Sequence, residues 1–81
     1  MRVRLVAFAT AARALGASER ECEVAAGATV GDLPRLLAAE APALAGEWSR
    51  FAIAVDGELA PADRTLADGC EVALLPPVSG G

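Results

Sequence analysis

The sequence predicts an α+β fold: a mixed sheet of about five strands packed on one main helix. Three observations carry this prediction. Short apolar segments recur along the chain, separated by Gly-, Pro- and Asp-containing turn signals. One segment, Thr29 to Glu40, instead places Val30, Leu33, Leu36 and Leu37 on one stripe at helical spacing. The segments follow one another as strand, strand, helix, strand, strand, strand. A helix laid across one face of a sheet is the economical way to bury such a pattern.

Each element follows from local chemistry. Val3 to Phe8 reads as a buried first strand. Thr10 is a candidate cap for a helical turn over Ala11 to Leu15, which Gly16 would close in the left-handed conformation. From Glu19 to Val24 acids alternate with other residues. A strand there turns Glu19, Glu21 and Glu23 to water and Cys22 and Val24 to the core. Thr29 with Asp32 resembles a capping box at the start of the main helix. Pro34 complicates the register, because it removes a hydrogen bond one turn in. Two starts remain open: a helix from Asp32 with Pro34 in its first turn, or a distorted first turn from Thr29. Pro42 is expected to end the helix. Ala43 to Ser49 connects it to a strand over Arg50 to Val55, with Trp48 and Phe51 closing the bottom of the core. Asp56-Gly57 is a strong two-residue hairpin signal before a return strand over Glu58 to Ala60. A loop over Pro61 to Ala67 and a second turn at Asp68-Gly69 lead to the last strand, Cys70 to Leu75. Pro76-Pro77 then forbids further ladder bonds. This order fits a β-grasp topology, with the last strand parallel to the first through a right-handed crossover.

At 81 residues the chain is one domain. Residues 1–75 are expected to fold, and 76–81 to form an extended tail ending in Gly-Gly. Apolar residues make up 54 % of the chain, which excludes a charge-rich disordered segment. No apolar run is long enough to span a membrane. Met1 to Leu5 is too interrupted for a signal peptide, so the expected location is cytoplasmic. The net charge of −4 repels phosphate backbones, so neither nucleic acid nor membrane is an expected partner. All seven basic residues are Arg, and His and Tyr are absent. The commonest general base at neutral pH is therefore missing, and so is any lysine for Schiff-base chemistry. Cys22 and Cys70 are too few for a zinc site without His partners. The chain is not expected to be an enzyme on its own.

The tail Pro76-Pro77-Val78-Ser79-Gly80-Gly81 is the candidate working part. Gly80 and Gly81 have no Cβ, so this stretch can pass through a narrow channel and leave the final carboxylate unhindered. Six extended residues reach about 20 Å, far enough to enter a partner's active site. A second candidate is a surface. If Val3, Leu5, Val72 and Leu74 face the helix, alternation sends Val6, Phe8, Ala73 and Leu75 to the other side, joined by Leu59. An exposed apolar patch beside the root of the tail would mark an interface. The opposite face assignment would make these residues ordinary core.

The run Asp68-Gly69-Cys70-Glu71-Val72-Ala73-Leu74-Leu75-Pro76-Pro77-Val78-Ser79-Gly80-Gly81 resembles the C-terminus of the small subunit of molybdopterin synthase, a ubiquitin-like sulfur-carrier family. Val3 to Phe8, Thr29-Val30 to Leu37 and Val55-Asp56-Gly57-Glu58 extend the resemblance over essentially the whole chain. Its most specific part is the ending Pro-Pro-Val-Ser-Gly-Gly. The resemblance implies that an ATP-dependent activating enzyme adenylates Gly81 and that a sulfur donor converts it to a thiocarboxylate. It implies further that the tail enters the large subunit of a hetero-oligomer, a heterotetramer, and gives sulfur to cyclic pyranopterin monophosphate to form the molybdopterin dithiolene. Gly81 and Gly80 would then be the reacting end. Phe8, Leu59, Leu75, Pro76, Pro77, Val78 and Ser79 would contact the partner. No cofactor would be bound permanently, and ATP would be consumed by the activating enzyme. A related carrier for tRNA thiolation or thiamin synthesis, or a ubiquitin-like protein modifier, is the alternative, because activation is shared up to the acyl-adenylate. The sequence departs from the family pattern at Asp56, where Asn is common, at Cys70, where Asp is common, and at Ala12-Arg13, where an Arg-Glu pair is common. None of these touches the tail.

The remaining features have simple explanations. In β-grasp order the second and last strands flank the first from opposite sides, so Cys22 and Cys70 should lie too far apart to bridge. Both are expected to be small buried residues. Glu19, Glu21 and Glu23 are expected to form a solvated strand face.

Overall fold

The Asp56-Gly57 pair makes the tight turn that its chemistry demands. Both residues adopt positive φ, 50° and 86°, as a hairpin turn matched to strand twist requires. The turn joins β3 (Ala52–Val55) to β4 (Glu58–Leu59), with Val55 opposite Glu58 and Ala54 opposite Leu59. Asp56 is further tied to the last strand, β5 (Glu71–Leu75): its Oδ1 accepts the Glu71 N–H at 3.0 Å, and its own N–H donates to the Glu71 carbonyl at 2.9 Å. The computed structural model describes residues 1–44 and 46–75, apart from the side chain of Thr10.

Five strands form one mixed sheet in the order β2-β1-β5-β3-β4, where β1 is Arg2–Ala7 and β2 is Glu19–Glu23. β1 pairs with β5 in parallel, and the other neighbours are antiparallel. This is the β-grasp arrangement expected from the element order. Alternation along β1 buries Val3, Leu5 and Ala7 and turns Arg2, Arg4 and Val6 the other way. On β2, Cys22 and the following Val24 are buried and the three Glu side chains are exposed, as the acid alternation predicted. Val72 and Leu74 of β5 are fully buried beside Leu5 and Val55.

The helical layer differs from expectation. α1 spans Ala9–Leu15, with Phe8 rather than Thr10 at the cap position, and ends on Gly16 in the left-handed conformation (φ 87°). Ala9 itself takes a φ of 51°, which breaks the extended path of β1 so that a helix can begin at once. The expected main helix over Thr29 to Glu40 is much shorter. It consists of a 3-10 turn over Val30–Asp32 and then α2 (Leu33–Leu36). The α-helix itself starts after Asp32 with Pro34 in its opening positions, and the turn that leads into it from Thr29 is 3-10, so each of the two expected starts holds in part. Asp32 Oδ2 accepts the Thr29 backbone N–H at 2.9 Å and the Thr29 hydroxyl at 3.2 Å, which anchors the start. Past Leu37 the side chains of Ala38, Ala39 and Glu40 are exposed, so nothing packs on that stretch to hold a longer helix. Pro42 opens a separate 3-10 turn, Pro42–Leu44, rather than ending a helix. A further one, Trp48–Arg50, carries Trp48. Trp48 and Phe51 pack partly buried against the core, as expected.

All of these helical pieces lie on one side of the sheet. Leu33, Leu37 and Leu44 join Val3, Leu5, Val55, Val72 and Leu74 in a single core. Cys22 and Cys70 are both buried and unbridged, on strands or strand ends that flank β1 from opposite sides. Among the described residues, no helix is long and apolar enough to cross a membrane.

Candidate functional site on the open sheet face

With the helices gathered on one face, the other face of the sheet has no covering layer. Its composition follows from the register. Val6 lies beside Ala73, Ala73 opposite Ala54, and Ala54 opposite Leu59, so one apolar row crosses four strands. Leu75 opposite Ala52 makes the next row, and Phe8 continues the β1 side of it. Phe8 is 48 % exposed and Leu59 72 % exposed, and Leu75 is half-buried. A leucine and a phenylalanine standing this far into water beside a row of small apolar side chains make a flat, contiguous patch of the kind that interfaces use. The face assignment that leaves Phe8, Leu59 and Leu75 outside the core is thus the observed one.

Phe8 is held in place by its backbone. It is the last extended residue before α1 (φ −126°, ψ 148°), and its carbonyl accepts the N–H groups of Ala11 at 3.0 Å and Ala12 at 3.4 Å. Leu59 owes its position to the two-residue turn, which fixes it opposite Ala54. Leu75 ends β5, at the edge of the patch. The other predicted site residues, Pro76, Pro77, Val78, Ser79, Gly80 and Gly81, lie outside the described residues.

Next to the apolar rows the same face becomes charged. Arg4 lies beside Glu71 in the parallel pairing, and its guanidinium reaches the Glu71 carboxylate at 2.7 Å and Glu19 at 3.6 Å. The hydrogen bond to Glu71, with the charges of Glu71 and Glu19, pushes the Arg4 pKa up further. Arg2 pairs with Glu21 and Glu23, each at 3.4 Å. The sequence reading missed this boundary, and it also missed Ala52 and Ala54 as the floor of the patch. The turn at Asp56-Gly57 held the signal for Ala54, because a two-residue loop pairs it with Leu59. The Arg4–Glu71 contact joins residues 67 positions apart and had no local signal.

Both thiols are buried. Burial, assisted by Glu40 and opposed by Arg20, pushes the Cys22 thiol up, away from the reactive thiolate. Among the described residues, no three His, Cys, Asp or Glu side chains gather as a metal site. The face is a flat apolar surface with a charged border, a form suited to contact with another protein.

Comparison with known proteins agrees with the fold. Residues 5–81 match the ThiS family. A molybdopterin synthase sulfur carrier subunit from Chlamydomonas reinhardtii is 35 % identical over 83 residues, covering 100 % of both chains. In the solved structure of SAMP1 from Haloferax volcanii, the likeness covers 100 % of both chains at 31 % identity with a TM-score of 0.87. A protein–protein complex of subunits 1 and 2 of molybdopterin-converting factor from Helicobacter pylori 26695 contains a chain similar over 100 % of both, at 26 % identity and a TM-score of 0.69.

Proposed function

The chain belongs to the ThiS family, and we propose that it is the sulfur-carrier subunit of a molybdopterin synthase. In this reading residues 1–75 are the docking body and 76–81 are the arm that carries the cargo. The observation that supports it most is the uncovered apolar face, with Phe8 and Leu59 exposed and Leu75 at its edge where the arm begins. A molecule that only folded would have no use for such a face at that position.

The chemistry runs through the carboxylate of Gly81. A carboxylate is a poor electrophile until one oxygen becomes a leaving group. An ATP-dependent activating enzyme joins Gly81 to AMP and releases pyrophosphate. A sulfur donor then displaces the AMP and leaves a thiocarboxylate. The large subunit would receive the arm, a reading supported by the likeness to a chain of the H. pylori complex of subunits 1 and 2 of molybdopterin-converting factor. Pro76, Pro77, Val78 and Ser79 would lie in its channel, and Phe8, Leu59 and Leu75 would seat the body. Gly80 adds no side chain that could obstruct the reacting carbon. The large subunit would supply the acid–base groups, in keeping with a chain that has neither His nor Lys. ATP is consumed by the activating enzyme and is not held here.

The test is mass spectrometry of the chain after co-expression with an activating enzyme and a sulfur source. The expected product carries one sulfur in place of one oxygen at Gly81. Deleting Gly81 should abolish sulfur transfer and leave the fold intact. Normal transfer by the truncated chain would refute the proposal.

A second reading has its own support in the likeness to small archaeal modifier protein 1 of H. volcanii. Gly81 would then be joined to lysines of target proteins after the same activation. This chain has no lysine, so it has no side-chain amine on which a polymer of itself could grow. Gly81 recovered in isopeptide linkage from a cell lysate would favour the modifier role over the carrier role.

A further inference from the structure

The net charge of the chain is not spread over its surface. The charged half of the open face, with its borders, holds the carboxylates of Glu19, Glu21, Glu23, Asp56, Asp68 and Glu71. Only two guanidiniums, Arg2 and Arg4, stand among them. A shallow depression lined by Arg2, Val3, Arg4, Glu21, Asp68 and Gly69 joins the Asp68 turn to the β1–β2 rows. Elsewhere the charges balance: the five other acids of the chain are matched by its five other arginines. Three of those arginines sit beside acids, in the pairs Arg20–Glu40, Arg35–Asp32 and Arg50–Glu47. Arg20 alternates to the helix side of β2, and Glu58 lies opposite core-facing Val55, so neither belongs to the open face. The side-chain excess of −4 therefore lies on one half of one face and its borders, directly against the apolar rows, offset there by the Met1 ammonium at the start of β1.

We infer that the protein docking on the apolar half carries a cationic rim over β2 and the start of β1, and that this charge contact steers and orients the encounter. The inference rests on the reading that the open face is where the synthase large subunit docks, and it adds the chemistry of that partner's rim. The spacing of the acids selects the kind of occupant. Residues two apart on a strand are ~7 Å apart, so Glu19, Glu21 and Glu23 span ~14 Å. That is too wide for one metal ion, which draws its oxygens to within ~2.6 Å. It suits a row of Arg or Lys side chains on another protein. About three uncompensated charges within about a Debye length or two of one another act as a block at low salt. Because they are exposed, their effect falls on the rate of association more than on the lifetime of the complex. The apolar rows supply that lifetime.

The experiment is stopped-flow association of the full chain with the large subunit of its synthase, at low and high salt. The on-rate of the wild-type chain should fall steeply as salt rises. The triple variant Glu19→Gln, Glu21→Gln, Glu23→Gln should associate about tenfold more slowly at low salt, with a nearly flat salt dependence and an off-rate changed by less than about twofold. Arg2→Gln, which makes the half-face more acidic, should associate faster. Glu47→Gln, in the balanced part of the surface, should match the wild type. Trp48 fluorescence and circular dichroism verify that each variant is folded. Equal on-rates for the wild type and the triple variant at low salt would overturn the inference, even if a tight complex forms. So would a loss in Glu47→Gln as large as that in Glu21→Gln alone, since total charge and not its placement would then govern. Failure of the wild type to form any complex would instead overturn the docking reading on which the inference rests.

Discussion

Leu59 and Leu74 lie two strands apart and offer a direct test of which face of the sheet does what. Both can be cut back to alanine. Leu74 is 0 % exposed and sits in the centre of the core. Its truncation should cost about 2–5 kcal/mol, the loss of transfer energy plus the cavity left behind. A chain of this size has a total stability of ~4–12 kcal/mol, so Leu74→Ala should lower the melting temperature by roughly 10 °C or more. Leu59 is 72 % exposed. Cutting it back removes little from the free chain, and the change in stability should stay within about 0.5 kcal/mol. In a complex the same truncation costs more. Full burial of a leucine is worth about 1.5–3 kcal/mol, and most of that is still available at this position, so docking can gain ~1–2 kcal/mol from it. Leu59→Ala should therefore weaken binding to the large subunit about 5- to 30-fold. Calorimetric titration well below the melting temperature reads the affinity, and thermal unfolding followed by Trp48 fluorescence reads the stability. A Leu59→Ala chain that binds as well as wild type, or melts as low as Leu74→Ala, would show that the open face is not a docking surface.

Other consequences are as specific. A Cβ on Gly31 would stand 3.1 Å from the Ala62 carbonyl oxygen and 3.3 Å from the Ala62 Cβ. Gly31→Ala should thus cost about 1–3 kcal/mol in a denaturant titration, because the neighbour is backbone. A Cβ on Gly57 would meet nothing within 4 Å, but φ there is +86°. Gly57→Ala should consequently cost only the left-handed backbone penalty of ~1–2 kcal/mol. The Thr29 N–H, then the Thr29 hydroxyl and Arg35, hold the Asp32 carboxyl below its ordinary pKa. A carboxyl with a depressed folded pKa stabilises the fold above its unfolded value of about 3.9 and loses that contribution as pH falls through the folded value. The stability gap between wild type and Asp32→Asn should accordingly be constant near neutrality and close on acidification. A gap that widened in acid would refute the assignment. Cys22 and Cys70, both buried, should resist a thiol reagent in the folded chain and react fully in urea. Rapid labelling of either without denaturant would contradict the structure.

The strands and turns were legible because their signals are local. Acid alternation from Glu19 to Glu23 places Cys22 inward without reference to any other segment, and Asp56-Gly57 specifies its turn by backbone geometry alone. The helix was less legible. The stripe Val30, Leu33, Leu36, Leu37 is compatible with three turns, yet only Leu33–Leu36 is α-helical. Stripe spacing reports which side chains can share a face. It does not report whether a stretch such as Ala38 to Glu40 finds anything to pack on, and a short helix without packing does not persist. Thr10 failed as a cap for a similar reason: the left-handed turn at Ala9 starts α1 one residue after Phe8, and that turn follows from how β1 must leave the sheet.

Residue order by itself determined what kind of molecule this is. The apolar periodicities define a sheet with helical cover on one side, the absence of His and Lys removes most independent catalysis, and the Pro-Pro-Val-Ser-Gly-Gly ending supplies a candidate arm. Tertiary structure alone decided what stands beside the end of β5. Placing β5 parallel to β1, between β1 and β3, brings Phe8, Leu59 and Leu75 onto one uncovered surface and sets Arg4 against Glu71. The periodicity of a strand dictates which residues alternate, but hydrogen bonding between segments far apart in the chain dictates which rows align, and the open apolar face exists only in those rows.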